Sequence, residues 1–177
     1  LKFAFDYAQK HNFDYAITID ADGQHFASDL PLFFDAIEKD YGAMIVGSRF
    51  LKQENMPAGN TFANKFSNFW FTVQTGKKLA DTQTGYRAYP LFMMGKMRSF
   101  SKRYESELEY LQRMAWRNIK IVSIPIQVYY APEGQRVSHF RKGRDFTRIS
   151  VLNTLMCFVA ILYGYPSMFL RKLFKSK

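Results

Sequence analysis

Apolar and polar positions alternate along the chain with two different periods, and the switches between them mark the elements. Phe3, Ala4, Phe5 and Ala8 stand among polar neighbours and predict an amino-terminal helix from Leu1 to His11. Tyr15-Ala-Ile-Thr-Ile19 is a short β-prone run, predicting a buried strand that ends abruptly in Asp20-Ala-Asp22-Gly23-Gln24-His25. Ser28-Asp29-Leu30-Pro31 has the form of a helix start, with a side chain able to cap and Pro in the first turn. Leu32, Phe33, Ala36 and Ile37 give that helix its apolar stripe. Ala43-Met-Ile-Val46 predicts a second strand, which runs into Gly47-Ser48-Arg49-Phe50.

Gln53 to Gly59 reads as a loop. Phe62, Phe66, Phe69, Trp70 and Val73 recur at helical spacing, the pattern of a helix packed on the core. Asp81-Thr-Gln-Thr-Gly85-Tyr86-Arg87 has the composition of a loop. A helix is expected from about Tyr104 to Trp116, with Leu108, Leu111 and Ala115 on one face, then a strand from about Ile119 to Tyr130. Gly134 to Arg148 reads as a basic loop, Leu155 to Tyr163 as a short apolar helix, and Arg171 to Lys177 as a basic end. Strands alternating with helices argue for an α/β layered fold. Three strands are fewer than a free-standing doubly wound sheet usually has, so the pattern is that of a fragment whose first units precede Leu1. Residues 1–150 form the expected folded domain, and residues 151–177 an apolar and basic tail.

Composition narrows the class. The chain has 177 residues, 47% hydrophobic and 18% aromatic, which excludes a disordered polymer and leaves aromatics over for an interface or ligand site. Its formal net charge of +10 suits a polyanion: nucleic acid, an anionic membrane or phosphorylated substrates. Cys157 is the single cysteine, so no internal disulfide forms and a reducing compartment is the default.

The candidate chemistry starts at Asp20 and Asp22. Residues i and i+2 leaving a strand can project to one side, and two carboxylates there make a hard oxygen site for Mg²⁺ or Mn²⁺, with Gln24 as a neutral oxygen donor. The carboxyl end of a strand is also where open α/β sheets bind ligands. The plainer reading is a polar turn closing a strand. Asp81 and Arg87 around Gly85 can make a structural salt bridge across a turn. Glu107 and Glu109 can lie on a solvated helix face, and only one of the two can point to the ligand edge, because i and i+2 diverge on a helix. His25 and His139 rank low as general bases.

The segment Ile17-Thr-Ile-Asp20-Ala-Asp22-Gly-Gln24-His25 closely resembles the metal-binding motif of family-2 glycosyltransferases of the GT-A fold, nearest to the dolichyl-phosphate mannosyltransferase and polyprenyl-phosphate glycosyltransferase group. Gly47-Ser48-Arg49-Phe50 resembles the Gly-Ser-Arg of that group, and Asp81 to Arg87 its Asp-x-x-x-Gly-Phe-Arg loop. Glu107-Leu-Glu109 and Ile124-Pro125-Ile126 are similar to its Glu-bearing helix and Val-Pro-Ile strand, and Gly134 to Phe140 to its Gly-x-Ser loop. The resemblance runs from Leu1 to about Ser150, lacks the nucleotide-gripping strand and loop that open the family, and has its own variant, Arg136-Val-Ser-His-Phe-Arg141-Lys-Gly-Arg144, in the acceptor region.

The resemblance implies a GT-A-like, Rossmann-like mixed sheet flanked by helices, and transfer of a sugar from a nucleotide-sugar donor with inversion. It assigns a divalent cation, Mg²⁺ or Mn²⁺, to Asp20, Asp22 and Gln24. Asp81, Arg87, Glu107 and Glu109 become the catalytic candidates, and Arg49, Arg136, Ser138 and Arg141 those for acceptor or phosphate. Trp70 becomes an alternative wall for an acceptor groove. A lipid phosphate is the expected acceptor; it is largely ionised near neutral pH and needs positioning rather than a base. A glycan or glycolipid hydroxyl is the alternative and would need a carboxylate base. A non-catalytic basic module for membranes or nucleic acid is the rival from another class. Its aromatics are not interleaved as base stacking requires, so nucleic acid is not expected as a partner. A degenerate gene product that keeps the metal motif without binding nucleotide is a further alternative. The nine apolar residues from Leu155 to Tyr163 are short of the about 20 that span a bilayer. With basic residues on both sides, they predict a monotopic, cytoplasmic-face attachment; the alternatives are a helix packed on the domain's own core and, since Met168, Phe169 and Leu170 resume the apolar character, a marginal transmembrane helix.

Overall fold

The structure, a computed structural model, describes residues 1–49, 58–95, 97, 101, 105–130 and 142–175. Its elements are α1 (Lys2–Lys10), β1 (Tyr15–Thr18), α2 (Leu30–Lys39), β2 (Met44–Ser48), α3 (Ala58–Thr75), β3 (Arg87–Pro90), α4 (Leu91–Met94), α5 (Glu105–Trp116), β4 (Ile121–Pro125), α6 (Lys142–Val159) and α7 (Tyr165–Lys175). The class is α/β: a four-stranded mixed sheet between helices, with a long apolar helix at the carboxyl end.

The strand order is β1-β3-β2-β4. β3 lies antiparallel to both β1 and β2, and β2 lies parallel to β4, so β1, β2 and β4 all point one way. Their carboxyl ends therefore meet at the edge where β3 begins, and Arg87 opens β3 opposite Thr18 and Val46. The period of 2 along β2 separates two cores. Met44 and Val46 face the layer holding Phe5, Phe71, Tyr110 and Leu111, whereas Ile45 faces Phe33, Tyr86 and Ile126.

Several features depart from the sequence pattern. The tail of the Asp81–Arg87 motif is not all loop: Arg87-Ala-Tyr-Pro90 is an inner strand, buried throughout. Asp29 does not cap α2; its carboxylate is buried and accepts the Gln127 N–H at 2.7 Å, tying α2 to the segment after β4. The strand expected over 119–130 shrinks to β4, followed by a single antiparallel bridge from Val128 to His25. Another concerns α3.

Of the stripe predicted to pack on the core, Phe62, Phe69 and Val73 are exposed, and Phe66 and Trp70 are half-buried. The buried face of α3 is Asn64, Ser67, Phe71, Gln74 and Thr75. Its amide N–H groups are used: Asn64 and Asn68 donate to the Ala80 carbonyl at 3.0 and 2.8 Å, and Gln74 donates to the Asn153 carbonyl at 3.1 Å. Gln74 also accepts from Gln112, and its carbonyl accepts the Trp116 indole N–H at 2.8 Å. Buried polar groups must be paired, and this face is a hydrogen-bonding surface for its neighbours.

The carboxyl-terminal helix is longer than its stop signals suggest. α6 begins at Lys142, inside the segment expected to be a loop, and runs through residue 150 without a break. A π-helical turn over Ala160–Gly164 then joins it to α7. Pro166 lacks an N–H, and its ring would clash with the Leu162 carbonyl of a regular turn; widening the turn accommodates it. Gly164 is required for packing, since a Cβ there would stand 2.6 Å from the Trp116 indole. Ile149–Phe174 is 26 residues long, its most apolar 18-residue stretch has mean hydropathy 1.6 and is 22% buried, and by length and composition the helix is able to cross a membrane. The nine-residue apolar stretch on which the monotopic expectation rests is thereby corrected.

Candidate functional site

The turn after β1 is held from below. Thr18 Oγ1 donates to the Gly85 carbonyl at 2.7 Å, drawing the end of β1 onto the loop that precedes β3. The Asp20 carboxylate then lies over Gly85, where any side chain would collide with it. His25 Nε2 is 3.6 Å from Asp20 Oδ2, and the His25 side chain is nearly buried, with its ring beside Tyr86. His25 is fixed by its bridge to Val128, and the Gln24 carbonyl accepts the Tyr129 N–H at 2.8 Å. The His25 imidazole holds the Asp20 carboxyl below the usual carboxylate range, against partial burial, with help from the charges of His25 and Arg87.

Asp22 lies two residues on, exposed, with Oδ1 accepting the Gln24 N–H at 3.0 Å across Gly23, whose φ of +76° closes the turn. Gln24 is exposed beside it. The donor set suits a hard cation. Asp20 and Asp22 offer carboxylate oxygens open to solvent, and neither is bonded to a Lys or Arg in the hydrogen bonds and ion pairs of the described residues. Among the described residues no cluster of three or more His, Cys, Asp or Glu is present. Two carboxylates are enough for a cation that keeps water or phosphate oxygens in its other positions.

Asp81 and Arg49 form one unit. Arg49 Nε donates to Asp81 Oδ2 at 2.7 Å and Nη2 to Oδ1 at 3.0 Å, a bidentate pair, and the Arg49 N–H reaches Oδ2 at 3.2 Å. Gln83 N–H adds a bond to Oδ1 at 3.1 Å. Asp81 is fully buried, so its ion pair joins the end of β2 to the loop before β3. The partner of Asp81 is thus Arg49, from another strand, and not Arg87 six residues on.

Arg87 is also buried. Its guanidinium donates to the carbonyls of Glu107 and Thr82, both at 2.8 Å, and so connects β3, α5 and the preceding loop. The Glu107 side chain stands near it in partial burial. That burial pushes the Glu107 carboxyl above the usual range, Arg87 opposes the rise, and the charge of Asp20 adds to it. Glu109, two residues on, points elsewhere: it is buried and accepts from the Ser101 N–H at 2.9 Å and from Arg113 Nε at 2.7 Å. Neither glutamate lies on a solvated face, and the divergence expected of i and i+2 is realised. Arg136, Ser138, His139 and Arg141 lie outside the described residues.

Asp20, Asp22, Gln24, Arg49, Asp81, Arg87 and Glu107 therefore belong to one edge of the sheet, while Glu109 serves the fold. Two supports had no place among the sequence candidates. Gly85 is the floor under Asp20, and its signal was a glycine between Thr84 and Tyr86 with no turn to require it. Thr82 receives Arg87 through its carbonyl and bonds Ser67 and Asn68 through its hydroxyl at 2.7 and 2.8 Å.

No family model matches the chain. Several curated proteins are similar to it. The UDP-N-acetylglucosamine–dolichyl-phosphate N-acetylglucosaminyltransferase of Methanococcus voltae is 30% identical over 122 residues, 66% of this chain and 49% of the relative. The polyprenol monophosphomannose synthase of Mycolicibacterium smegmatis is 27% identical over 129 residues, 69% of this chain and 48% of the relative. The undecaprenyl-phosphate mannosyltransferase of Micrococcus luteus is 27% identical over 128 residues, 69% of this chain and 52% of the relative. The chain spans about half the length of the curated relatives it matches. Over about two thirds of its length, then, it is a distant relative of enzymes named for joining a sugar to a polyprenol-type phosphate.

Proposed function

We propose that the chain is the catalytic, carboxyl-terminal part of a GT-A-like, family-2-type glycosyltransferase that moves a sugar from a nucleotide-sugar donor to a polyprenyl phosphate or another lipid-linked acceptor, with inversion, at the cytoplasmic face of a membrane. The observation that carries the reading is the Asp20–Asp22 turn. One carboxylate is seated over Gly85 and kept ionised beside His25, the other is exposed next to it, and both stand at the carboxyl end of β1. The names of the relatives supply the substrate class.

Asp20 and Asp22, with Gln24, would hold Mg²⁺ or Mn²⁺, which when bound neutralises charge on the departing nucleoside diphosphate. The other residues position. The Arg49–Asp81 pair locks the end of β2 to the loop that carries Gly85. Arg87 acts through charge on Asp20 and Glu107, its two terminal nitrogens being bonded to the Glu107 and Thr82 carbonyls. A lipid phosphate attacks without a base.

One observation favours a second reading, in which the acceptor is a sugar hydroxyl. Glu107 is a partly buried carboxyl, raised by burial and close in charge to Asp20, as a general base would be. Membranes containing the full protein, supplied with labelled nucleotide sugars and divalent cation, separate the two. The proposal expects label in polyprenyl monophosphate sugar that a chelator abolishes. Label only in glycan or glycolipid hydroxyls supports the second reading, and no transfer to any acceptor contradicts both.

A further inference from the structure

We propose that His25 is a positioning residue: its imidazole is the wall that sets which oxygen of Asp20 is turned to a divalent cation. The proposal deepens the cation reading above and rests on it. The wall has a frame in the backbone. His25 bridges to Val128, and the Gln24 carbonyl accepts the Tyr129 N–H at 2.8 Å. Further along, the Asp29 carboxylate accepts the Gln127 N–H at 2.7 Å. The segment after β4 is thus tied, residue by residue and antiparallel, across the stretch that leaves the Asp20–Asp22 turn.

The ring is placed as firmly as the backbone. It lies 5.6 Å from the Tyr86 ring, which is stacked on Phe33 at 4.2 Å in the core beneath α2. Tyr86 directly follows Gly85, the floor under Asp20. The Asp20 carboxylate is therefore confined twice, by Gly85 below it and by His25 Nε2 at 3.6 Å from Oδ2. With Oδ2 turned to His25, Oδ1 is the oxygen presented to a cation.

The second ring nitrogen shows that histidine is not there for the fold. The His25 side chain is 4% exposed, and its Nδ1 is buried with no hydrogen-bond partner among the described residues. A nitrogen that faces a carboxylate carries the proton, so Nδ1 is left an acceptor with nothing to accept. Buried polar atoms are paired as a rule, and an unpaired one costs the fold its desolvation. A phenyl ring would pack beside Tyr86 without that cost. What it would not supply is a nitrogen next to Asp20. The same burial keeps an acceptor from the imidazole, so His25 acts through Asp20 and not on the substrate. Groups that orient a metal ligand are worth about 10- to 100-fold in cation affinity.

Two substitutions separate the nitrogen from the ring: His25→Phe keeps the ring, and His25→Gln keeps an N–H that can reach Asp20. The full protein is titrated with Mn²⁺, alone and with UDP or GDP, and the enhancement of water proton relaxation by protein-bound Mn²⁺ reads the affinity. His25→Phe is expected to unfold at or above the parent's thermal midpoint and yet to bind Mn²⁺ about 10- to 100-fold more weakly, with most of the affinity recovered in His25→Gln. A lowered midpoint with equal loss in both variants makes His25 a structural residue and overturns the proposal. Parent affinity in His25→Phe overturns it too, and lost transfer in that variant would then place His25 in the chemistry itself. Asp22→Asn tells the two failures apart. If it binds Mn²⁺ as the parent does, or if the parent binds none, the cation reading falls and the positioning role with it. If Asp22→Asn loses Mn²⁺ while His25→Phe keeps it, the positioning role alone falls.

Discussion

Asp20 occupies the space that a side chain on residue 85 would need: a Cβ built on Gly85 would stand 2.2 Å from Asp20 Oδ1. The glycine and the carboxylate fit only as a pair, although 65 residues separate them. Gly85→Ala is expected to turn the Asp20 carboxylate outward. Asp20 is 45% exposed, so it can move into water and the fold loses about 1 kcal/mol at most. Sugar transfer is expected to fall about 100-fold, the scale of a misplacement of about 1 Å. Urea unfolding and a transfer assay on the same preparation check both halves; undiminished transfer in Gly85→Ala would show that the seat of Asp20 is irrelevant.

Removing Asp81 tests the ion pair that closes the site. Arg49 is 13% exposed and its guanidinium is bonded twice by Asp81, so Asp81→Ala breaks a buried bidentate ion pair. A loss of about 3–5 kcal/mol is expected, most of it recovered in Arg49→Met/Asp81→Leu. Denaturation midpoints of the two variants decide it, and a loss within 0.5 kcal/mol, the usual scatter of surface changes, would argue that the pair is solvated.

Glu107 gives a pH signature. Burial raises its folded pKa above the ordinary glutamate value, so the protonated form favours the fold. That contribution is complete below the unfolded value and is lost as pH rises through the folded value. Glu107→Gln keeps the shape without the charge. It should be more stable than the parent at pH 7 and no more stable near pH 4. A difference that does not vary with pH would contradict the desolvated carboxyl.

The turn that carries the candidate site is more legible in the sequence than the strands and helices around it. The i, i+2 carboxylates leaving Tyr15–Ile19 are legible because a β-prone run ends in acidic and glycine residues, and β1 stops there, at Thr18. The divergence of Glu107 and Glu109 follows from helical geometry alone. β3 was illegible because it is four residues long and runs from an arginine to a proline, both unusual within a sheet. Its partners, the carbonyls of Glu107 and Thr82 and the Tyr89 hydroxyl, make a buried Arg87 tolerable there.

The helices fail for other reasons. Periodicity assigns α3 a stripe but not a direction, and inward packing is the default that its polar hydrogen-bonding face overrides. In α6–α7, Gly164 and Pro166 carry the ordinary stop signals, yet one glycine fits against Trp116 and one wide turn absorbs the proline. The pairing of Asp81 with Arg49 spans 32 residues and has no local signal.

The most direct measurement is sugar transfer by Asp22→Asn. The Asp22 side chain is exposed, and its bond in the structure is to the Gln24 N–H of its own turn, which asparagine also makes. The fold should be untouched, so any loss belongs to the chemistry. The account predicts transfer to polyprenyl phosphate reduced at least about 100-fold with an unchanged unfolding midpoint, together with weakened Mn²⁺ binding by calorimetry. Transfer near the parent rate in folded Asp22→Asn, at limiting Mg²⁺ or Mn²⁺, would contradict the cation site and with it the proposed reaction.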